Sequence, residues 1–164
     1  MAENKENTPA VKVDVQALVK QMLAEGKKIV TFSLKQKYFD AILAGRKVQE
    51  FREIRPTTVK HLIQLDEEGF DIEDEEGFAI PIHYDAILFY TGKYEAGRKR
   101  DCCLVEVEKS MVQYLTDDEG KIIEFKVDYN GHKDVWWQSS QVVYSLGKIL
   151  AVNIYNESKK KNVL

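Results

Sequence analysis

Three charged side chains within six residues, Lys47, Glu50 and Arg52, have the types and spacing to do chemistry. Lysine and arginine can donate to a phosphate or a base carbonyl. A desolvated lysine can also act as a base or nucleophile. Glutamate can accept from a base amino group or orient an arginine. Val48 and Phe51 are interleaved with the charges, so part of the segment is expected to be buried. Charges beside a buried strand need partners or a ligand. Strict alternation puts Glu50 and Arg52 on one face and Lys47 on the other. All three converge only if strand pairing begins after Lys47 or a bulge intervenes.

The elements that must position them precede the charges. Val30, Phe32 and Leu34 alternate with Ile29, Thr31 and Ser33, which predicts a strand over 28–34. Tyr38, Phe39, Ala41, Ile42 and Leu43 fill a short helix over 36–44, and Gly45 follows as a stop that can take positive φ. Phe32-Ser33-Leu34-Lys35, Tyr38, Ile42-Leu43 and Gly45-x-Lys47-x-x-Glu50-x-Arg52 resemble the ASCH domain family. The resemblance covers about twenty residues. It implies an α+β, mainly β fold: a PUA-like β-barrel with peripheral short helices. It also implies binding of RNA, a nucleotide or a nucleoside in a cleft between the short helix and the barrel. Lys47, Glu50 and Arg52 would contact the ligand, and Ser33, Lys35 and Tyr38 would line the mouth. Some small members are amidohydrolases in which the lysine of Gly-x-Lys is catalytic and a threonine stands three residues later. Lys47 matches that lysine, whereas Glu50 occupies the threonine position. Lys47 and Glu50 are the catalytic candidates of that alternative, a small hydrolase acting on a modified nucleoside or RNA.

At 164 residues, with 44% hydrophobic and 31% charged residues, the chain suits one soluble domain. The division expected is a disordered tail over 1–10, one domain over 11–156 and a frayed tail over 157–164. A net charge of −3 argues against a broadly basic nucleic-acid binder but leaves room for a local basic cleft. No apolar run approaches the roughly 20 residues of a membrane span, and no secretory leader is read at the polar N-terminus. Cys102 and Cys103 are adjacent and form no disulfide framework, which suits a reducing, cytoplasmic setting. Their expected role is packing. His61, His83 and His132 are scattered, and closely spaced zinc-ligand pairs are lacking. No cofactor or metal is called for.

Along the rest of the chain, Val15, Leu18, Val19 and Met22 form one apolar face of a helix capped by Asp14. A short strand is expected over 61–65. The stretch 66–77 holds eight acids and no base, the pattern of a solvated loop or hairpin, and it lacks the calcium-loop register. Residues 84–90 read as a strand buried on both faces. Lys93, Arg98, Lys99 and Arg100 form the strongest basic cluster, beside Tyr90 and Tyr94, which could stack on a base. Lys93 and Arg98 complete the ligand-binding candidates. A strand over 102–108 and a hairpin over roughly 111–129 follow. Of Trp136 and Trp137, one is expected to pack and the other to meet solvent. Two last strands flank Gly147-Lys148, the second closing the barrel. No internal repeat is read. A protein-interaction domain without a small ligand is the third functional alternative.

Overall fold

The computed structural model describes residues 13–155, so the tails expected at 1–10 and 157–164 lie outside the described residues. The elements run α1 (Val15–Ala24), β1 (Ile29–Leu34), α2 (Gln36–Leu43), β2 (Gln49–Glu53), a 3-10 turn (Val59–His61), β3 (Ala86–Thr91), β4 (Cys102–Tyr114), β5 (Glu124–Tyr129), β6 (His132–Gln138) and β7 (Ser140–Asn153). Five strands are hydrogen-bonded in the order β1-β3-β4-β7-β2, and β5 pairs only with β6. The fold is α+β and mainly strands. Among the described residues no sheet closes into a barrel. No helix there is long and apolar enough to cross a membrane.

The chain divides into two compact units. Unit 1 comprises residues 13–48, 84–107 and 147–155 of the described chain; unit 2 comprises Gln49–His83 and Glu108–Leu146. In unit 1, α1 begins where the Asp14 carboxylate accepts from the Ala17 N–H at 2.9 Å. Its predicted apolar face docks: Val15 is fully buried with Ala86, Leu88, Cys102 and Leu104, and Leu18, Val19 and Met22 pack against them. Ten residues are too few for a helix to be stable alone, so this burial holds it. Burying a side chain such as Val15 contributes about 1.5–3 kcal/mol. Beside it, β1 pairs in parallel with β3, from Ile29 opposite Ala86 to Leu34 opposite Thr91. β3 is buried on both faces, as its unbroken apolar run predicts.

In unit 2, β2 pairs antiparallel with β7 in unbroken register, Gln49 opposite Ser145 through Glu53 opposite Gln141. Three hairpin turns share one design. Asp66-Glu67-Glu68-Gly69, Asp74-Glu75-Glu76-Gly77 and Asp117-Asp118-Glu119-Gly120 each begin with an aspartate that accepts from two backbone N–H groups, two and four residues on, at 2.8–3.0 Å. Each glycine has φ near +85° and donates to the carbonyl of its aspartate. The acidic stretch 66–77 is thus two tight turns, and the sequence contains a repeat at turn level that composition alone did not reveal. A fourth turn, Asn130-Gly131, has positive φ at both residues and joins β5 to β6.

Three expectations need correction. Residues 59–61 form a 3-10 turn, and beyond them Ile63 and Leu65 make only isolated bridges, so 61–65 is not a strand. Gly147 takes strand backbone, so the two expected terminal strands are one fourteen-residue strand. That strand is an interior member of the sheet, not a closing edge.

Candidate functional site

The Gly45 stop behaves as predicted: φ is +78°, its N–H donates to Ile42, and the Ala41 carbonyl accepts from Arg46 and Lys47 at 2.9 and 3.1 Å. Those bonds keep Lys47 in the helix exit, and pairing of β2 begins at Gln49. No bulge is needed. Burial in β2 is the reverse of what composition suggests: Val48 is 60% and Phe51 46% exposed, whereas Glu50 is 4% exposed. Register gives the reason. Glu50 and Arg52 stand opposite Tyr144 and Val142, both fully buried. The Arg52 Nε–H donates to Glu50 Oε2 at 2.6 Å, so the two form the same-face pair that alternation predicts.

Six of the eight predicted binding residues, Ser33, Lys35, Tyr38, Lys47, Lys93 and Arg98, belong to unit 1; Glu50 and Arg52 belong to unit 2. In unit 1 the parallel strands β1 and β3 end side by side; Ser33 lies in the last two residues of β1, opposite Tyr90, and Lys35, Lys93 and Tyr94 follow from these ends. Arg100 connects them. Its Nη1 donates to the Gly92 carbonyl at 3.1 Å and reaches Ser33 Oγ at 3.5 Å, and its guanidinium lies 4.5 Å from the Tyr90 ring and 5.9 Å from the Tyr94 ring. Tyr90 is held from behind by Gln16, whose Nε2 donates to its hydroxyl at 2.6 Å. Tyr94 is 75% exposed. Lys37 and Lys47 lie 5.0 and 5.7 Å from the half-exposed Tyr38 ring. Lys35 stands at the N-cap of α2, with no side chain capping the helix. A cation there opposes the helix dipole, whereas an anion would be favoured. Arg98 is paired with Glu95 at 3.1 Å on the exposed loop.

Charge separates between the units. The described part of unit 1 holds 12 Lys and Arg against 7 Asp and Glu; unit 2 holds 7 against 17. The overall charge of −3 therefore conceals a basic part and an acidic part.

No family model, curated protein or solved structure matches this chain.

Other chemistry is restricted by environment. Burial, with Asp101 next, pushes the Cys102 thiol up to about 11, and burial raises Cys103 further. Both remain protonated thiols at neutral pH, in keeping with packing. Among the described residues no group of three or more His, Cys, Asp or Glu could hold a metal ion. Sequence reasoning missed a cavity within unit 2, whose walls include Phe70, Tyr114, Tyr129 and Trp137. The Trp136-Trp137 pair after an Asn-Gly turn was the available signal. As expected, one packs and one meets solvent: Trp137 Nε1–H donates to the Ile54 carbonyl at 3.0 Å, while Trp136 is 62% exposed.

Proposed function

We propose that this chain is an RNA- or nucleotide-binding module of ASCH type that engages its ligand through unit 1. The observation that carries the reading is the interleaving of cations with tyrosine rings where β1 and β3 end, Arg100 over the partly buried Tyr90 and the exposed Tyr94, and Lys37 and Lys47 over the half-exposed Tyr38. Single-stranded nucleic acid is held by this combination, with cations along the backbone and rings stacking on bases. In this reading Lys35, Lys93 and Arg98 meet phosphates and Tyr94 stacks on a base. Ser33 and Arg100 fix the floor between them. The basic balance of unit 1 attracts the ligand, and the resemblance over residues 32–52 agrees with it. A PUA-like relationship would rest on the five-stranded sheet and its short helices. The buried thiols suit a reducing, cytoplasmic location.

The test is fluorescence anisotropy of labelled single-stranded RNA and mononucleotides at several salt concentrations. Binding that weakens steeply with salt, and weakens further in Tyr94→Ala, supports the reading. Absence of binding at low salt rejects it. The hydrolase alternative, with Lys47 as central group, is checked in the same samples by product analysis. Turnover lost in Lys47→Ala would establish it.

A further inference from the structure

A cavity of about 230 Å³ lies within unit 2. Five of its lining residues are aromatic: Phe70, Tyr114, Tyr129, Trp136 and Trp137. The polar ends of three are engaged by backbone. Trp137 Nε1–H donates to Ile54, the Tyr129 hydroxyl donates to the Gly69 carbonyl, and the Tyr114 hydroxyl accepts from the Ala79 N–H at 3.0 Å. These bonds satisfy the polar ends of the three rings and anchor them to the backbone. Tyr129 meets Trp137 edge-on with centroids 5.1 Å apart, and Phe70 meets Tyr129 edge-on at 6.0 Å. The walls are therefore set at angles to one another, the arrangement of a cage more than of a slot for one flat ring.

The charged lining residues are Asp71 and Glu124; no lysine or arginine lines the cavity. The surrounding unit carries 17 acids against 7 bases. Its field is felt at the walls: burial raises the Tyr114 phenol, the Ala79 N–H opposes this, and Asp71, Glu73 and Asp74 add smaller upward pushes, while after burial Asp66 and Asp71 raise that of Tyr129. One wall already attracts a cation, since Lys126 Nζ lies 5.1 Å from the Trp136 ring. Aromatic faces attract cations through their quadrupole, and desolvation strengthens the attraction. A phosphate or carboxylate would meet carboxylates here with no cation lining the cavity. The volume lies below the roughly 300–1,000 Å³ of drug-sized sites, so it suits a compact head group.

We infer that this cavity binds the head of an organic cation, a methylated ammonium group caged by Phe70, Tyr129 and Trp137 with Asp71 at the rim. The inference stands apart from the nucleic-acid reading of unit 1. A free quaternary amine and a trimethylated lysine side chain present the same chemistry, and the test separates them.

The chain has two tryptophans, and both line the cavity, so intrinsic fluorescence reports on it directly. The full chain is titrated with choline, with a peptide carrying trimethyl-lysine, and with 3,3-dimethylbutan-1-ol, the neutral isostere of choline. Saturable change with at least one cation, at roughly tenfold higher affinity than the neutral isostere, is expected. A preference for peptide or for choline identifies the source. Asp71→Asn, an exposed change that keeps backbone and shape, should weaken the cation several-fold and leave the isostere unaffected. Tyr129→Leu should abolish binding, and Tyr129→Phe should retain it if the variant folds. Equal affinity for cation and isostere, no saturable response to any probe, or undiminished cation binding in Asp71→Asn would overturn the inference.

Discussion

The Arg100 guanidinium lies 4.5 Å from the centroid of the Tyr90 ring, and its Nη1 donates to the Gly92 carbonyl at 3.1 Å. One side chain thus ties the end of β3, the base of the 92–100 loop and, through Ser33, the end of β1. A planar guanidinium can stack and donate at once, whereas an ammonium is a compact point charge. Arg100→Lys should therefore keep the charge yet weaken single-stranded RNA binding several-fold. Arg100→Ala should weaken it further, and Tyr94→Ala should cost about 1–3 kcal/mol if that ring stacks on a base. Anisotropy measures all three. Equal binding by wild type and Tyr94→Ala would remove Tyr94 from the interface.

Salt should report the phosphate contacts. With Lys35, Lys93 and Arg98 each neutralising one phosphate, log affinity should fall with log salt at a slope of about −2, at roughly 0.7 per contact for single strands. Each alanine substitution should reduce that slope by about 0.7 and weaken all sequences alike. A slope unchanged in the triple variant would place the contacts elsewhere.

The Glu50–Arg52 pair should matter for stability. Glu50 is buried and Arg52 partly so. Removing one partner of a buried pair typically costs about 3–5 kcal/mol, and partial exposure of Arg52 lowers the figure, so Arg52→Met should cost about 2 kcal/mol in urea unfolding. A change under about 0.5 kcal/mol would mark the pair as an ordinary surface contact.

Much of this was legible beforehand, and the failures have physical causes. Helix α1 was readable from its apolar periodicity and strand β3 from its unbroken apolar run, since both patterns report on burial. The Glu50–Arg52 pairing followed from parity within one strand. Which face of β2 is buried did not, because that depends on the register with β7, a segment some ninety residues away. Residues 61–65 misled for a related reason: a short apolar run fits a 3-10 turn with bridges as well as a strand. Gly147 suggested a break, but glycine permits strand backbone as readily as a bend. The two-unit charge separation was hidden because each unit is assembled from separated segments, so their opposite balances cancel in the total. The aromatic cavity draws its walls from segments as far apart as Phe70 and Trp137, which no local pattern joins.

The three aspartate turns give a comparison of two glycines. Gly77 has φ +87° with nothing near the site of an added Cβ, so Gly77→Ala should cost only the left-handed backbone term, about 1–2 kcal/mol. At Gly69, φ +89°, a Cβ would stand 2.8 Å from Asn130 Nδ2, which donates to the Glu68 carbonyl at 2.6 Å. Gly69→Ala should therefore cost about 1 kcal/mol more, for that hydrogen bond. Equal losses in urea unfolding would show that Asn130 yields freely.

The Asp14 cap sets an acid dependence. Its carboxyl is held below the usual value, first by the Ala17 N–H and then by the Asn153 side chain. A depressed folded pKa means the stabilisation is complete above the unfolded value, near 3.8, and is lost as pH falls through the lower folded value. Asp14→Asn keeps a capping oxygen without the titration. By circular dichroism, the wild-type advantage over Asp14→Asn should be constant near neutrality, begin to decline only as pH falls to the unfolded value near 3.8, and disappear below the lower folded value. An advantage independent of pH would exclude the carboxylate.

Backbone amide mapping with a short single-stranded RNA tests the proposed role most directly. Saturable shifts are predicted at Ser33, Lys35 and Tyr38 and through Tyr90–Arg100, all in unit 1. No shift anywhere, or shifts confined to unit 2 residues such as Tyr129 and Trp137, would contradict it.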